Sequence, residues 1–248
     1  MGLTFNSVDL SSAAGLVTPG QQGIHDLADI VIAQTYVPGY ALPNETVLRD
    51  GTIKMSLPSV MASDLSHADL LSKLHTLKTY VSPRLGWKYL VTSALTGKRT
   101  LARFEGFPVN IDALPYDQTD VQFTLTAIRA PWWEDATAQT DASISSGDII
   151  TNSGDLECYP VWTLTSTDAN AGGVTLTCNG RTFTWEDAFP ATDVIVMTTE
   201  LPTVTYEGTE SYAGIADDCE FPTFGAGNNT VTFTGDMTVA ASWHRRFE

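Results

Sequence analysis

The sequence predicts a mainly β protein in two parts, an α+β N-terminal domain followed by a β-sandwich. Three observations carry that prediction. Runs in which apolar and polar residues alternate recur along most of the chain, the pattern of strands with one buried face. One segment, Ser66 to Tyr80, has helical spacing instead. Beyond about residue 154 the strand-like runs succeed one another with no helical segment between them, which points to a sandwich or jelly roll.

The first elements are short. Leu3-Thr4-Phe5 opens as a strand, and Asp29 to Val37 is a β-branched run stopped by Pro38-Gly39. Val47 to Arg49 and Thr52 to Leu57 flank Asp50-Gly51, whose residues tolerate the positive φ angles of a tight hairpin turn. In the helix, Ser66 caps with Asp69 three residues on, and Leu70, Leu71, Leu74, Leu77 and Val81 recur on one face until Pro83 ends it. Lys73, Thr76 and Lys78 lie on the other face, so the helix rests against a sheet or a neighbouring subunit. Trp87 to Thr92 and Arg99 to Phe104 make a hairpin around Thr96-Gly97-Lys98. Val121, Phe123, Leu125 and Ala127 alternate with polar residues and lead to Pro131-Trp132-Trp133. These two tryptophans read as aromatics closing the domain or as a binding platform. Adjacent strand residues point to opposite faces, which favours closure.

Residues 132–153 contain Asp135, Asp141 and Asp148 among Thr, Ala, Ser and Gly, too few apolar residues to hold a core, and read as a solvated linker. Pro160 then opens a strand through Val161-Trp162, since Pro suits a first strand position. Val174 to Cys178 and Phe183 to Trp185 flank Asn179-Gly180, a strong hairpin signal. Strands follow at Val194 to Thr199, Thr203 to Tyr206, Asn229 to Thr234 and Val239 to Trp243.

Composition narrows the function. With 29 Asp and Glu against 13 Lys and Arg, the formal charge of −16 repels nucleic acid and anionic membrane. No apolar run reaches the roughly 18–20 residues of a membrane helix, no basic leader precedes an apolar core, and Asn6 breaks a myristoylation pattern, so a soluble, unsecreted product is expected. Cys158, Cys178 and Cys219 lack metal or redox spacing and read as small buried hydrophobes.

Chemistry is hard to find. The adjacent carboxylates Glu134-Asp135, Glu186-Asp187 and Asp217-Asp218 sit in expected turns, where adjacency marks a solvated loop. His67 and His75 are eight residues apart, too far to share a metal as i,i+4 histidines do. Gly172-Gly173 precedes a strand, so it cradles no phosphate. Nucleophile-elbow, Walker and calcium-loop motifs are missing, and neither a catalytic residue nor a cofactor is expected. Trp162, Trp185 and Trp243 invite a sugar-stacking reading, but their alternation with strand residues favours the core. The C-terminal His244-Arg245-Arg246 is a basic tip on an acidic chain, read as a solvated end or as a charge contact from Arg245 and Arg246 to an acidic neighbour.

The order of these features resembles one family, the distal tail proteins of long-tailed, non-contractile phages. Asp50-Gly51, the leucine-rich helix, Pro83 to Gly86, the Gly97 to Arg99 turn and Pro131-Trp132-Trp133 look like that family's belt domain. Gly154 to Trp162 resembles the start of its second domain, and Phe221-Pro222 through Gly227-Asn228-Asn229-Thr230-Val231 resembles its ending. The resemblance implies a belt over about 1–131, a linker over 132–153 and a galectin-like sandwich over about 154–237. In some members the last strand returns to the belt, which here would be 238–248. It also implies a homo-hexameric ring at the virion's tail tip, made in the host cytoplasm and joining the tail tube protein to a tail-associated lysin or a fibre or receptor-binding protein. DNA would pass through without specific binding, helped by an acidic lumen, and no membrane is involved. The ring surface is expected on the helix and its flanking strands, at Leu70, Lys73, Leu74, Leu77 and Lys78. The alternative is a carbohydrate- or receptor-binding galectin-like module.

Overall fold

The computed structural model describes residues 2–17, 30–35, 44–50, 53–62, 66–114, 120–170 and 172–248; for 30–35, 44–50 and 62 it describes the backbone alone. Two compact units divide the chain, Met1–Trp133 with Glu248, and Glu134–Phe247.

In the first unit an antiparallel sheet runs in the order Val8–Asp9, Leu3–Phe5, Lys88–Thr92, Lys98–Phe104, Asp120–Arg129, Ile53–Ala62, Leu16–Val17. Its central pair is the longest, with Ile53 opposite Arg129 and Ala62 opposite Asp120. Met55, Leu57 and Met61 alternate inward as a half-buried strand requires. This strand continues through Pro58 instead of stopping at Leu57. The short edge strand Leu16–Val17 pairs only with Val60–Met61, so at Pro58 the described ladder lies on one side alone, where a missing N–H is tolerated. The hairpin expected at 88–104 forms, with Gly97 at φ 76° in its turn. The Asp50-Gly51 turn lies outside the described residues; the strand Asn44–Asp50 before it pairs with Ile30–Thr35.

The helix spans His67–Tyr80, with Ser66 as its cap accepting a hydrogen bond from Asp69 N at 3.2 Å. Asp69 and Lys73 form an i,i+4 ion pair at 3.0 Å. Leu70, Leu74 and Leu77 have no exposed surface and share one core with Phe5, Leu57, Leu90 and Phe104. Replacing Leu74 by Ala should therefore cost about 2–5 kcal/mol, as deletion of a fully buried leucine does. Lys78→Glu on the exposed face should change stability by no more than about 0.5 kcal/mol. Urea unfolding of both variants checks the contrast.

The second unit is a sandwich built on one core. One antiparallel sheet is ordered Gln139–Ile144, Met237–Trp243, Val161–Ser166, Val194–Thr198, Thr203–Tyr206, Thr209–Glu210. The facing sheet is ordered Arg181–Trp185, Val174–Cys178, Thr232–Thr234, and both contribute to a single cluster around Trp162, Leu176, Phe183 and Val239. At the expected Asn179-Gly180 hairpin both residues have positive φ, 52° and 72°.

One expectation fails here. The stretch 132–153 is not a solvated linker, because it contains the strands Trp133–Asp135, Gln139–Ile144 and Ile149–Asn152. Its strands are held by backbone ladders to Met237–Trp243 and Gly227–Thr230, and each of the last two needs only one inward apolar residue, Ile144 or Ile150. Of the segment 238–248, Glu248 groups with the first unit, whereas the strand Met237–Trp243 belongs to the sandwich. Met237, Val239, Ala241 and Trp243 are buried in the sandwich core, and their strand is paired on both sides within it.

Candidate interaction surfaces

The basic C-terminus is the most constrained polar site of the second unit. Arg246 is 7% exposed, and its backbone is received by Gly154: a Cβ there would meet Arg246 O at 2.5 Å, so only glycine fits. Asp155 N and Leu156 N donate to that same Arg246 carbonyl at 2.9 and 3.2 Å. The guanidinium lies 4.8 Å over the Tyr159 ring, 3.7 Å from the buried Glu134 carboxylate, and hydrogen-bonded to Glu200. Arg245 Nε reaches Asp135 at 2.5 Å, its Nη1 donates to Ser153 Oγ at 2.8 Å, and Asp135 N donates to Arg245 O at 3.0 Å. His244 Nδ1 sits 2.7 Å from the Asp135 carbonyl. The acidic neighbour expected for Arg245 and Arg246 is thus the same chain. A charged pair this short of water is stable only when its partners are fixed, which a solvated tail would not supply. Glu134-Asp135 is correspondingly no solvated turn, whereas Glu186-Asp187 and Asp217-Asp218 are exposed as expected.

The two sequence stretches that carried the resemblance in this unit meet around that site. Glu157 accepts from Thr223 Oγ1 at 2.5 Å and pairs with Arg181 at 3.2 Å. Cys158 and Phe224 exchange backbone hydrogen bonds, and Trp162 Nε1 donates to Pro222 O at 2.9 Å. The Asn229 side chain closes the 225–229 turn, accepting from Gly225 N at 2.8 Å and donating to Gly225 O and Gly227 O at 2.9 Å. Buried amides doing a backbone's work explain why this loop is polar and still fixed. Asn152, whose buried amide donates to Leu156 O at 2.9 Å and Gly225 O at 3.2 Å, was missed by sequence reasoning; a polar residue at an inward strand position was the available signal.

Elsewhere the sequence-derived candidates separate. Leu70, Leu74 and Leu77 cannot form a ring contact, because they have no surface left to offer another copy; Lys73 is partly buried on Asp69, and Lys78 is exposed. Trp162, Trp185 and Trp243 are buried, and so is Trp133, while Trp132 is half-buried. Trp185 stacks on Tyr206 at 5.4 Å. Among the described residues no cluster of His, Cys, Asp and Glu is arranged to hold a metal, and no helix is long and apolar enough to cross a membrane.

The cysteines are free, with Cys158 and Cys178 buried. Burial pushes the Cys178 thiol up to about 11 and raises Cys158 as well. Since the thiolate is the reactive form, both should be silent to a disulfide reagent at pH 8 in the native protein, and all three cysteines should react after unfolding in urea. Rapid native reaction of Cys158 or Cys178 would contradict the packed core.

A surface of a different kind lies on the 88–104 hairpin. Leu90, Ala102 and Phe104 face the core, so Tyr89 and Leu101, paired across the strands, face out with Val91 and Arg99. Arg99 stands 3.8 Å over the Tyr89 ring, and Arg103 stands 5.8 Å from the ring of Trp87. Trp87, just before the strand Lys88–Thr92, is 43% exposed and Tyr89, on it, 38%.

Comparison with known proteins places these features. Residues 153–247 match the family model for the siphovirus-type tail component, C-terminal domain. That stretch of the chain is similar to this C-terminal domain. The match spans both the Gly154–Trp162 stretch and the arginine-bearing C-terminus. The fold is that of SPP1 Dit, whose crystal structure, described as a paradigm of the hub adsorption apparatus in phages infecting Gram-positive bacteria, aligns over 100% of this chain and 99% of that one at TM-score 0.79 and 11% identity. Two structures of the phage p2 baseplate in its activated conformation, with strontium and with calcium, align over 98% of this chain and 97% of theirs at 6% identity and TM-score 0.47, too low to weigh. No curated protein matches the sequence. The fold is accordingly mainly β and Dit-like from end to end.

Proposed function

We propose that this chain is a structural phage tail protein that forms a hexameric ring at the distal end of the tail and joins the tail tube to tail-tip, fibre or receptor-binding proteins, with no catalytic role. The end-to-end alignment with a hub protein, covering both units and nearly all of each chain, supports this reading most. The burial of Trp162, Trp185 and Trp243 removes the aromatic platform on which the sugar-binding alternative leaned. Residues 1–133 contain ten Lys and Arg against eleven Asp and Glu, so a ring lined by the first unit would carry little net charge and would neither hold nor strongly repel DNA. The acidic lumen therefore has no basis in that unit's composition.

Gold-labelled antibody against the purified protein, applied to intact virions, tests the placement. Label confined to the far end of the tail is the expected result. Label along the tube or on the head would overturn it.

A further inference from the structure

Charge is distributed very unevenly along this chain. Residues 70–104 hold seven of the thirteen Lys and Arg and no Asp or Glu. Residues 134–247 hold seventeen Asp and Glu against three arginines, and each of those three, Arg181, Arg245 and Arg246, is already in an ion pair within that unit. One unit, near neutral as a whole, therefore has a basic stretch in which Lys73 is paired with Asp69, and the other presents carboxylates with no arginine or lysine left over to balance them. The outward face of the 88–104 hairpin adds apolar contact area to the charge: Trp87, Tyr89 and Leu101 lie beside Arg103, and Arg84 sits on the adjoining turn Pro83–Leu85.

Resting on the ring reading, we propose that this basic aromatic face docks the carboxylate-rich C-terminal unit of a second copy of the chain. The pairing is heterologous, one patch against a different one, and contacts of that kind close into rings when their rotation allows. Exposed aromatics flanked by arginines are the composition of an interface centre, where the ring supplies buried area and the guanidinium selects an acidic partner. Nucleic acid is the other anion such a face would suit. The net charge of −16 opposes it, because a polyanion must approach through the repulsive field of the whole molecule, whereas a second copy brings its charge in one unit.

Sedimentation velocity of the full chain at about 50 and about 500 mM NaCl tests the contact, since ionic screening weakens exposed charge pairs over this range. The wild type should assemble at low salt and lose association affinity at least about tenfold at high salt. Arg84→Glu with Arg103→Glu should lose at least as much at low salt with an unchanged circular dichroism spectrum, and Trp87→Ala should weaken assembly at both salts. Lys78→Glu, on the exposed face of the helix, should assemble as wild type. Wild-type assembly by the Arg84/Arg103 variant would overturn the contact and leave the ring intact, as would loss of assembly in Lys78→Glu. A wild type monomeric throughout would overturn the ring reading together with the contact. Retention on double-stranded DNA that the Arg84/Arg103 variant loses, with assembly unaffected, would hand the face to nucleic acid and overturn the proposal.

Discussion

Replacing Trp162 by Ala should destabilise the C-terminal unit by about 3–5 kcal/mol, the cost of removing a large fully buried aromatic side chain. Three losses add up at this position. The indole has no exposed surface, so its whole volume becomes a cavity in the single core of the sandwich. The edge-to-face contact with Phe224, at 5.1 Å between centroids, disappears, and Phe224 in turn supports Trp243 at 4.9 Å. Pro222 O loses the donor that held it at 2.9 Å inside the structure. Trp162→Phe separates these effects: it keeps most of the volume and gives up the hydrogen bond, and should cost about 1–3 kcal/mol. Thermal unfolding of both variants, followed by near-ultraviolet circular dichroism, measures the difference. Equal stability of Trp162→Ala and wild type would contradict the packing.

The second large effect is expected at Arg246. Arg246→Ala takes the guanidinium away from Glu134, whose side chain is 6% exposed, and removal of one partner from a buried pair costs about 3–5 kcal/mol. Glu200 contributes little to that figure because its side chain is 46% exposed and water can replace the arginine. The lost stacking on Tyr159 adds to it. Arg246→Lys keeps the charge without the planar fork and should recover only part of the stability. Arg245→Ala should cost less than Arg246→Ala, since Arg245 itself is 32% exposed at the side chain. If Arg246→Ala unfolds at the wild-type urea midpoint, the C-terminal clasp is not structural.

Much of the fold was legible in the sequence. Period-two alternation located the strands around Leu57, Leu125, Leu176 and Val239, and Asn179-Gly180 fixed a hairpin, because these signals are local and their physics is local too. The capped helix was found for the same reason. What local pattern does not specify is the partner. The apolar stripe of Leu70, Leu74 and Leu77 demands burial, but burial against one's own sheet and against another subunit produce the same stripe. Residues 132–153 were misread because a strand held by ladders on its neighbours needs few apolar residues of its own; Ile144 and Ile150 suffice. The charge clasp joins Asp135 to Arg245 across 110 positions, and no spacing rule reaches that far. Of the site, the glycine, tryptophan and arginine positions stood out singly, and only the structure brought Gly154, Pro222 and Arg246 to one corner of the sandwich.

The central claim is a closed ring of six, and native mass spectrometry of the purified chain at about micromolar concentration and low salt reads it most directly. A dominant species near 161 kDa, six copies of a 26.8 kDa chain, is the expected result. A spectrum containing only the 26.8 kDa monomer, or a dimer that grows no further as concentration rises, would contradict it.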